Sequence, residues 1–178
     1  MKKIIYLFLM ISSTMNQPVS NYLYAPWRSI YQLRETTGCH FCCIGNEQKH
    51  DAREFVLKRY TYCYVMLNLY PYNKGHVLVI PYSHTANLYD LSVEEQTEIM
   101  NVVANTIKIL EDAFHCQGIN MGLNGGRSAG ASIPDHLHFH IVPRFSGDTA
   151  FMEAIFDTRI ISAHIPEVYQ QLYPFFNT

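Results

Sequence analysis

Two short runs, 62–68 and 76–80, are rich in aromatic and β-branched residues and predict strands. Between them, Tyr70-Pro71-Tyr72-Asn73-Lys74-Gly75 has the residue types of a reversal, so an antiparallel hairpin is expected. Ser92 then opens a capping box with Glu95, and Ile99, Val103, Ile107, Leu110 and Phe114 follow at helical spacing. That pattern predicts an amphipathic helix of about six turns, stopping by Gly118. Residues 119–124 read as a strand, 125–135 as a glycine-rich loop, and 136–142 as a strand closed by Pro143. A last helix beginning near Pro166 carries Val168, Leu172 and Phe175 on its apolar side. Hairpin strands with an inserted helix imply an α+β class, with about five antiparallel strands and two main helices.

Composition adds limits. A chain of 178 residues, 48% hydrophobic and 16% charged, is one globular unit and not a disordered segment. The net charge of -2 and the scattered Lys and Arg give no polyanion-binding face, and neither nucleic acid nor a membrane is expected as a partner. Lys2 and Lys3 precede an apolar run, 4–11, that is too short to span a bilayer. We expect residues 1–14 to be an extension ahead of a working start at Met15, with export as the alternative if they act as a signal. Residues 15–178 are then a single domain with an aromatic arm, Tyr22 to Arg28, at its start. Five cysteines cannot all pair with one another, and Cys39, Cys42 and Cys43 are crowded as in metal or redox chemistry, which suits a reducing cytoplasm.

The chemistry concentrates in His136-Leu137-His138-Phe139-His140. On a strand the three imidazoles share one face, roughly 7 Å apart, with Leu137, Phe139 and Ile141 turned to the core. Such a face suits either a metal held by two or three imidazoles or a neutral imidazole acting as a nucleophile at phosphorus. Histidine is uncommon, and three at period two argue against a merely polar surface. The preceding loop, Asn124 to Ser132, favours the phosphorus reading, because its small residues let backbone N–H groups approach an anion, with Asn124 and Ser132 adding side-chain hydrogen bonds.

These residues resemble a known family. The alternating run 136–142 is similar to the signature of the histidine-triad (HIT) superfamily, and Asn68 to Pro81 resembles its first conserved block. Leu23-Tyr-Ala-Pro-Trp27-Arg28, the Cys39-x-x-Cys42 pair and Pro143-Arg144-Phe145-Ser-Gly147-Asp148-Thr-Ala-Phe151-Met152 resemble the branch of bacterial diadenosine-tetraphosphate phosphorylases and related hydrolases. The resemblance implies a HIT-like fold and attack by His138 on the α-phosphorus of a dinucleoside polyphosphate or nucleotidyl conjugate, through a covalent nucleotidyl-histidine discharged by phosphate or water. It implies that His140 contacts the phosphate and assists the leaving group, and that His76 tunes the site from the neighbouring strand. A structural role for His76 beside the turn stays open. Asn68 matches a position near the ribose and Asn124 one near the phosphates, while loop groups including Gly130 and Ser132 would hold phosphate oxygens. The branch usually has tryptophan where this chain has Phe145.

Cys-x-x-Cys spacing lets two thiolates reach one tetrahedral ion, and the resemblance supplies two more ligands, His84 and His136, for a structural zinc. His40, Cys43 and His50 are lesser alternatives, Cys63 and Cys116 carry no expected role, and no organic cofactor is expected. The resemblance also implies a homodimer, with the long helix or the aromatic tail 173–176 as contact surface. Two other readings remain. One is a zinc or iron hydrolase on a β-barrel, for which a further ligand strand is missing; the other is a non-catalytic nucleotide sensor on the same fold.

Overall fold

The computed structural model describes residues 38–148, 155, 161 and 163–177. The expectations for residues 1–14 and for the aromatic arm lie outside them.

Among the described residues, a five-stranded antiparallel sheet runs in the order β1-β2-β3-β5-β4. Its strands are β1 (Val56–Arg59), β2 (Cys63–Leu67), β3 (Val77–Pro81), β4 (Gly118–Leu123) and β5 (Phe139–Arg144). The helices are α1 (His40–Asn46), the single turn α2 (Asp51–Glu54), α3 (Val93–Phe114) and α4 (Ile165–Phe176). The expected hairpin is β2–β3, in register from Cys63 opposite Pro81 to Leu67 opposite Val77.

Side chains alternate across the sheet, and its two faces have different cover. Val65, Leu67, Val77, Val79, Phe139 and Ile141 join Ile99, Val103 and Leu110 of α3 and Val168, Leu172 and Phe176 of α4 in the main core. Tyr64, Met66, Leu78 and Ile80 point the other way, against Phe41 and Ile44 of α1. Both faces of β2 and β3 are therefore buried, which explains their near-continuous apolar sequence. Leu78 lies opposite His140 across β3–β5, so the histidine face is the one that α1 covers.

The structure corrects several boundaries. The capping box forms, with Glu95 N–H donating to Ser92 Oγ at 3.2 Å and Ser92 N–H to Glu95 Oε2 at 2.8 Å. The helix ends at Phe114, however, with His115 in the left-handed conformation (φ 51°), and Gly118 begins β4. β5 starts at Phe139, three residues later than expected, because the pairings of Val79 and Leu123 both end there. His136, at a bend, and His138 precede it outside the strand, held where Leu137 N–H donates to Thr85 O at 2.6 Å. Pro143 does not close the strand. It lies inside β5 opposite Ile119, where β3, whose pairing stops at Ile141, no longer faces it and no donor is required. In α4 the buried residue is Phe176, at i+4 from Leu172, and Phe175 is 44% exposed. Residues 40–46 and 51–54, for which the sequence pattern predicts no element, are helical. No helix among the described residues is long and apolar enough to cross a membrane.

Candidate active site and metal cluster

Short contacts hold α1 on the histidine face. Arg59 on β1 donates from Nη1 to Gly45 O at 2.8 Å and from Nη2 to Ile44 O at 2.7 Å, satisfying carbonyls at the end of α1. Its fork also grips Asp51. Tyr64 Oη donates to Phe41 O at 2.9 Å inside the core. Phe41, immediately before Cys42, then presents its ring edge-on to His136 at 5.5 Å and His138 at 5.0 Å between centroids. The histidine face is therefore roofed: His136 is 1% and His138 5% exposed, where the sequence suggested an open surface.

Cys39, Cys42, His84 and His136 place one donor atom each within 4.8 Å of one another, the four residues the sequence reading named. Cys39 Sγ lies 3.2 Å from His136 Nδ1, Cys42 Sγ 3.3 Å from His84 Nδ1, and the two Nδ1 atoms are 3.2 Å apart. Donors of a tetrahedral zinc, at about 2.3 Å (S) and 2.0–2.1 Å (N), stand roughly 3.3–3.8 Å from each other, so the cluster has the size of such a site. His136 Nε2–H donates to Pro81 O at 2.9 Å, which leaves the Nδ1 lone pair aimed into the cluster. Burial, with hydrogen bonding and charge from Cys39, pushes the Cys42 thiol up to about 11. Two thiolates here need a cation beside them.

The remaining histidines form a chain of determined tautomers. His138 Nδ1 is 2.8 Å from His136 O, and a carbonyl only accepts, so the proton sits on Nδ1 and Nε2 keeps a free lone pair. Burial lowers the pKa of His138, keeping that ring neutral. Tyr72 N–H, which only donates, meets His76 Nδ1 at 3.0 Å. Neutral His76 therefore carries its proton on Nε2 and donates it to His140 Nδ1 at 3.0 Å. That leaves the proton of His140 on Nε2, an atom that is buried and has no partner among the described residues. A buried donor without an acceptor is costly and marks where a ligand oxygen fits. The rings of His138 and His140 stand 4.9 Å apart, closer than strand spacing alone suggests.

Burial, reinforced by His140 and His138, lowers His76 to about 3, and burial with His138 lowers His140 to about 4. In the unfolded chain both titrate near about 6.5. Below that value the unfolded chain takes up protons that the folded one refuses. The stability linked to these two rings is therefore fully present above pH ~6.5 and is lost as pH falls toward 4 and then 3. The urea midpoint should fall between pH 6.5 and 5, above the carboxylate range, and NMR should show neither ring protonating in the folded protein there. Titration of either ring near 6.5 would contradict this burial.

The other expected site residues are placed less tightly. Asn68 lies against His76, its Nδ2 at 3.3 and 3.4 Å from the two ring nitrogens, and its Oδ1 accepts from Tyr70 N–H. Asn124 follows β4, half-buried, and Gly130 (φ 92°) ends a turn of 3-10 helix. The amides of Ala129, Gly130 and Ala131 donate to Gly126 and Arg127 carbonyls within the loop and face no anion. Ser132 is exposed beside Ile133, which packs on the α1 side. The roles of Tyr72 and Phe41 were missed: one acts through a backbone amide that any residue offers, the other looked like spacing between cysteines. A groove of about 640 Å³ on α3, lined by Tyr60, Val93, Thr97, Glu98 and Asn105 among others, contains no histidine or cysteine.

The chain is similar to several known proteins. The AP-4-A phosphorylase of Mycobacterium tuberculosis is 40% identical over 114 residues, 64% of this chain and 58% of that relative. An asymmetrical bis(5'-nucleosyl)-tetraphosphatase of Schizosaccharomyces pombe is 38% identical over 82 residues, 46% of this chain and 44% of the relative. The chain thus spans less than two thirds of either. A crystal structure of a zinc-bound histidine triad family protein from Mycobacterium smegmatis superposes with a TM-score of 0.64 at 27% identity, covering 79% of this chain and 94% of that one. Residues 49–147 match the HIT domain, and the chain belongs to that family.

Proposed function

We propose that this protein cleaves a phosphoanhydride at the α-phosphate of a dinucleoside polyphosphate, such as diadenosine tetraphosphate, or of a related nucleotidyl conjugate. The observation that carries the reading is the buried pair of opposite ring nitrogens: a lone pair on His138 Nε2 beside an unpartnered N–H on His140 Nε2. One is a nucleophile at neutral pH, the other a donor for the oxygen that gains charge. The names of the phosphorylase and tetraphosphatase relatives support the substrate class.

In the first half-reaction His138 Nε2 forms a P–N bond while the bridging P–O bond breaks. The electron pair leaves with the nucleoside polyphosphate, an anion that needs only the hydrogen bond from His140. The Nδ1–H of the resulting imidazolium stays on His136 O. In the second half, water (giving up a proton) or inorganic phosphate forms a P–O bond and returns the pair to Nε2. Asn124 and Ser132 are assigned to the phosphates, Asn68 to the ribose side, and Gly130, whose amide donates to Arg127 O, to the turn that carries them. Ser132 and the loop groups outside 129–131 are the ones left to meet oxygens.

Cys39, Cys42, His84 and His136 would hold structural zinc, as donor set and spacing fit it and a zinc-bound relative shares the fold. Bound there, it supplies a fixed positive charge for the thiolates. Such a thiolate pair suits a reducing cytoplasm.

The protein acts as a homodimer through β4 in this reading. The carbonyls of Val56 and Leu57 on edge strand β1 are taken by Tyr169 Oη and Asn177 Nδ2, whereas β4 is an edge with Met121 (45%) and Leu123 (37%) exposed. In the aromatic tail Phe176 is buried, while Tyr173 and Phe175 are each 44% exposed. Light scattering should give a dimer that Met121→Lys with Leu123→Lys converts to monomer. A monomeric parent would refute it.

Incubation with diadenosine tetraphosphate, with and without inorganic phosphate, tests the activity. Cleavage products are expected, and ADP in the phosphate arm would identify phosphorolysis. Tight binding with no turnover would instead establish the sensor reading.

A further inference from the structure

The segment Pro143 to Asp148 supplies nothing to the two half-reactions, yet its carboxylate accepts four hydrogen bonds. Asp148 accepts from Arg144 Nε at 2.7 Å and Arg144 Nη2 at 2.9 Å, a two-pronged fork. It accepts from Phe145 N–H at 3.1 Å and from Asn73 Nδ2 at 2.8 Å. Arg144 in turn donates to Asn120 Oδ1 at 2.8 Å. Asp148 is 13% exposed, and the guanidinium beside it holds its carboxyl well below the usual range.

Asn73 belongs to the turn that precedes His76. Its Nδ2 also donates to Pro143 O at 3.1 Å, and its carbonyl accepts from His76 N–H at 3.2 Å. Two residues on, Gly75 (φ 78°) sits so close to Phe114 that a Cβ would approach its ring to 2.6 Å. Pinned at 73 and 75, the turn delivers Tyr72 N–H to His76 Nδ1, and the Tyr72 ring covers His76 at 4.7 Å and stacks on His140 at 5.8 Å between centroids.

We infer that Asp148 is a positioning residue: through Asn73 it fixes the 70–75 turn against the end of β5, so that the Tyr72 amide sets the tautomers of His76 and His140. Without that amide, the donor left at His76 Nδ1 is Asn68 Nδ2, 3.3 Å away and at 3.4 Å almost as close to Nε2, which does not fix the proton on Nε2. The proton is then free to move to Nδ1. His76 Nε2 then accepts, His140 Nδ1 must donate, and His140 Nε2 loses the proton it presents to the substrate. The consequence for rate rests on the proposed function; the tautomers themselves do not.

The test uses Asn73→Ala, which removes the turn's bonds to Asp148 and Pro143 O and the acceptor for Lys74 N–H. It also uses Asp148→Asn, which changes only the far end of the link, with Asp112→Asn on the exposed face of α3 as control. Imidazole 15N shifts of the free protein at neutral pH report which nitrogen carries each proton. The parent and the control should show Nε2–H at both His76 and His140, and the two variants should show mixed tautomers at both. With diadenosine tetraphosphate, kcat should fall roughly 10- to 100-fold with KM changed less than about threefold. Circular dichroism verifies folding; if Asp148→Asn does not fold, Asn73→Ala decides alone. Folded Asn73→Ala with parental tautomers overturns the inference, as does an unchanged kcat in a parent that turns over. Altered tautomers in a protein with no turnover would uphold it and remove the proposed function instead.

Discussion

Replacement of His138 by alanine is expected to abolish turnover of diadenosine tetraphosphate, by about 10³-fold or more in kcat, while nucleotide affinity stays within about tenfold. The asymmetry follows from what the ring does. In the proposed mechanism its Nε2 lone pair acts in the transition state, whereas a bound ground state is held by other groups. The loss is not one of folding alone: alanine leaves His136 O without its donor and a gap against Phe41, a cost of about 1–3 kcal/mol for the unpaired group. Thermal unfolding separates the two effects, because a folded variant at assay temperature must still be inactive. His140→Ala should be milder, about 10²-fold, since it removes a donor and leaves the nucleophile. Retained turnover in folded His138→Ala would end the assignment.

The second large effect is expected at the cysteine pair. Cys39→Ser should release the metal, countable by elemental analysis of the purified protein, and lower stability. In zinc-finger peptides the ion contributes about 10–16 kcal/mol because little else holds the fold. Here α1 keeps its anchors to Arg59 and Tyr64 and its packing through Phe41 and Ile44. The expected loss is therefore smaller, about 3 kcal/mol, or roughly 10 °C in Tm. Activity should fall as well, because His136 stands in the cluster by its ring and holds His138 by its carbonyl. An unchanged Tm together with a metal-free parent would contradict the zinc assignment.

The sequence carried the elements whose signals are local. The capping box at Ser92 and Glu95 is two side chains three residues apart, and it forms as read. The β2–β3 hairpin follows from two apolar runs around a proline- and glycine-bearing turn. Its limits appear where neighbours decide. β5 begins at Phe139 and runs through Pro143 because β3 and β4 end where they do, which no property of residues 136–143 announces. α1 is seven residues with no side-chain cap; it depends on Arg59 and Tyr64, reached only through the fold.

The same division holds in the site. The spacing Cys39-x-x-Cys42, the period of His136, His138 and His140 and the loop's Asn124 and Ser132 were visible, and family resemblance added His84, His76 and Asn68. Burial of the histidine face was not, because it comes from Phe41, an aromatic that reads as filler between two cysteines. Nor were the tautomers, which depend on two backbone groups, His136 O and Tyr72 N–H, invisible in residue identity. The loop shows the reverse case. Its glycines suggested a full amide cradle, but three successive amides close the loop's own turn.

The measurement closest to the central claim is the site of covalent modification during turnover. Protein quenched with a slow diadenosine polyphosphate analogue, digested under alkaline conditions that preserve P–N bonds, should carry a nucleotidyl group on Nε2 of His138 in mass spectra. A nucleotidyl group on any other residue, or turnover with no adduct under conditions where a nucleotidyl-histidine survives, would contradict it.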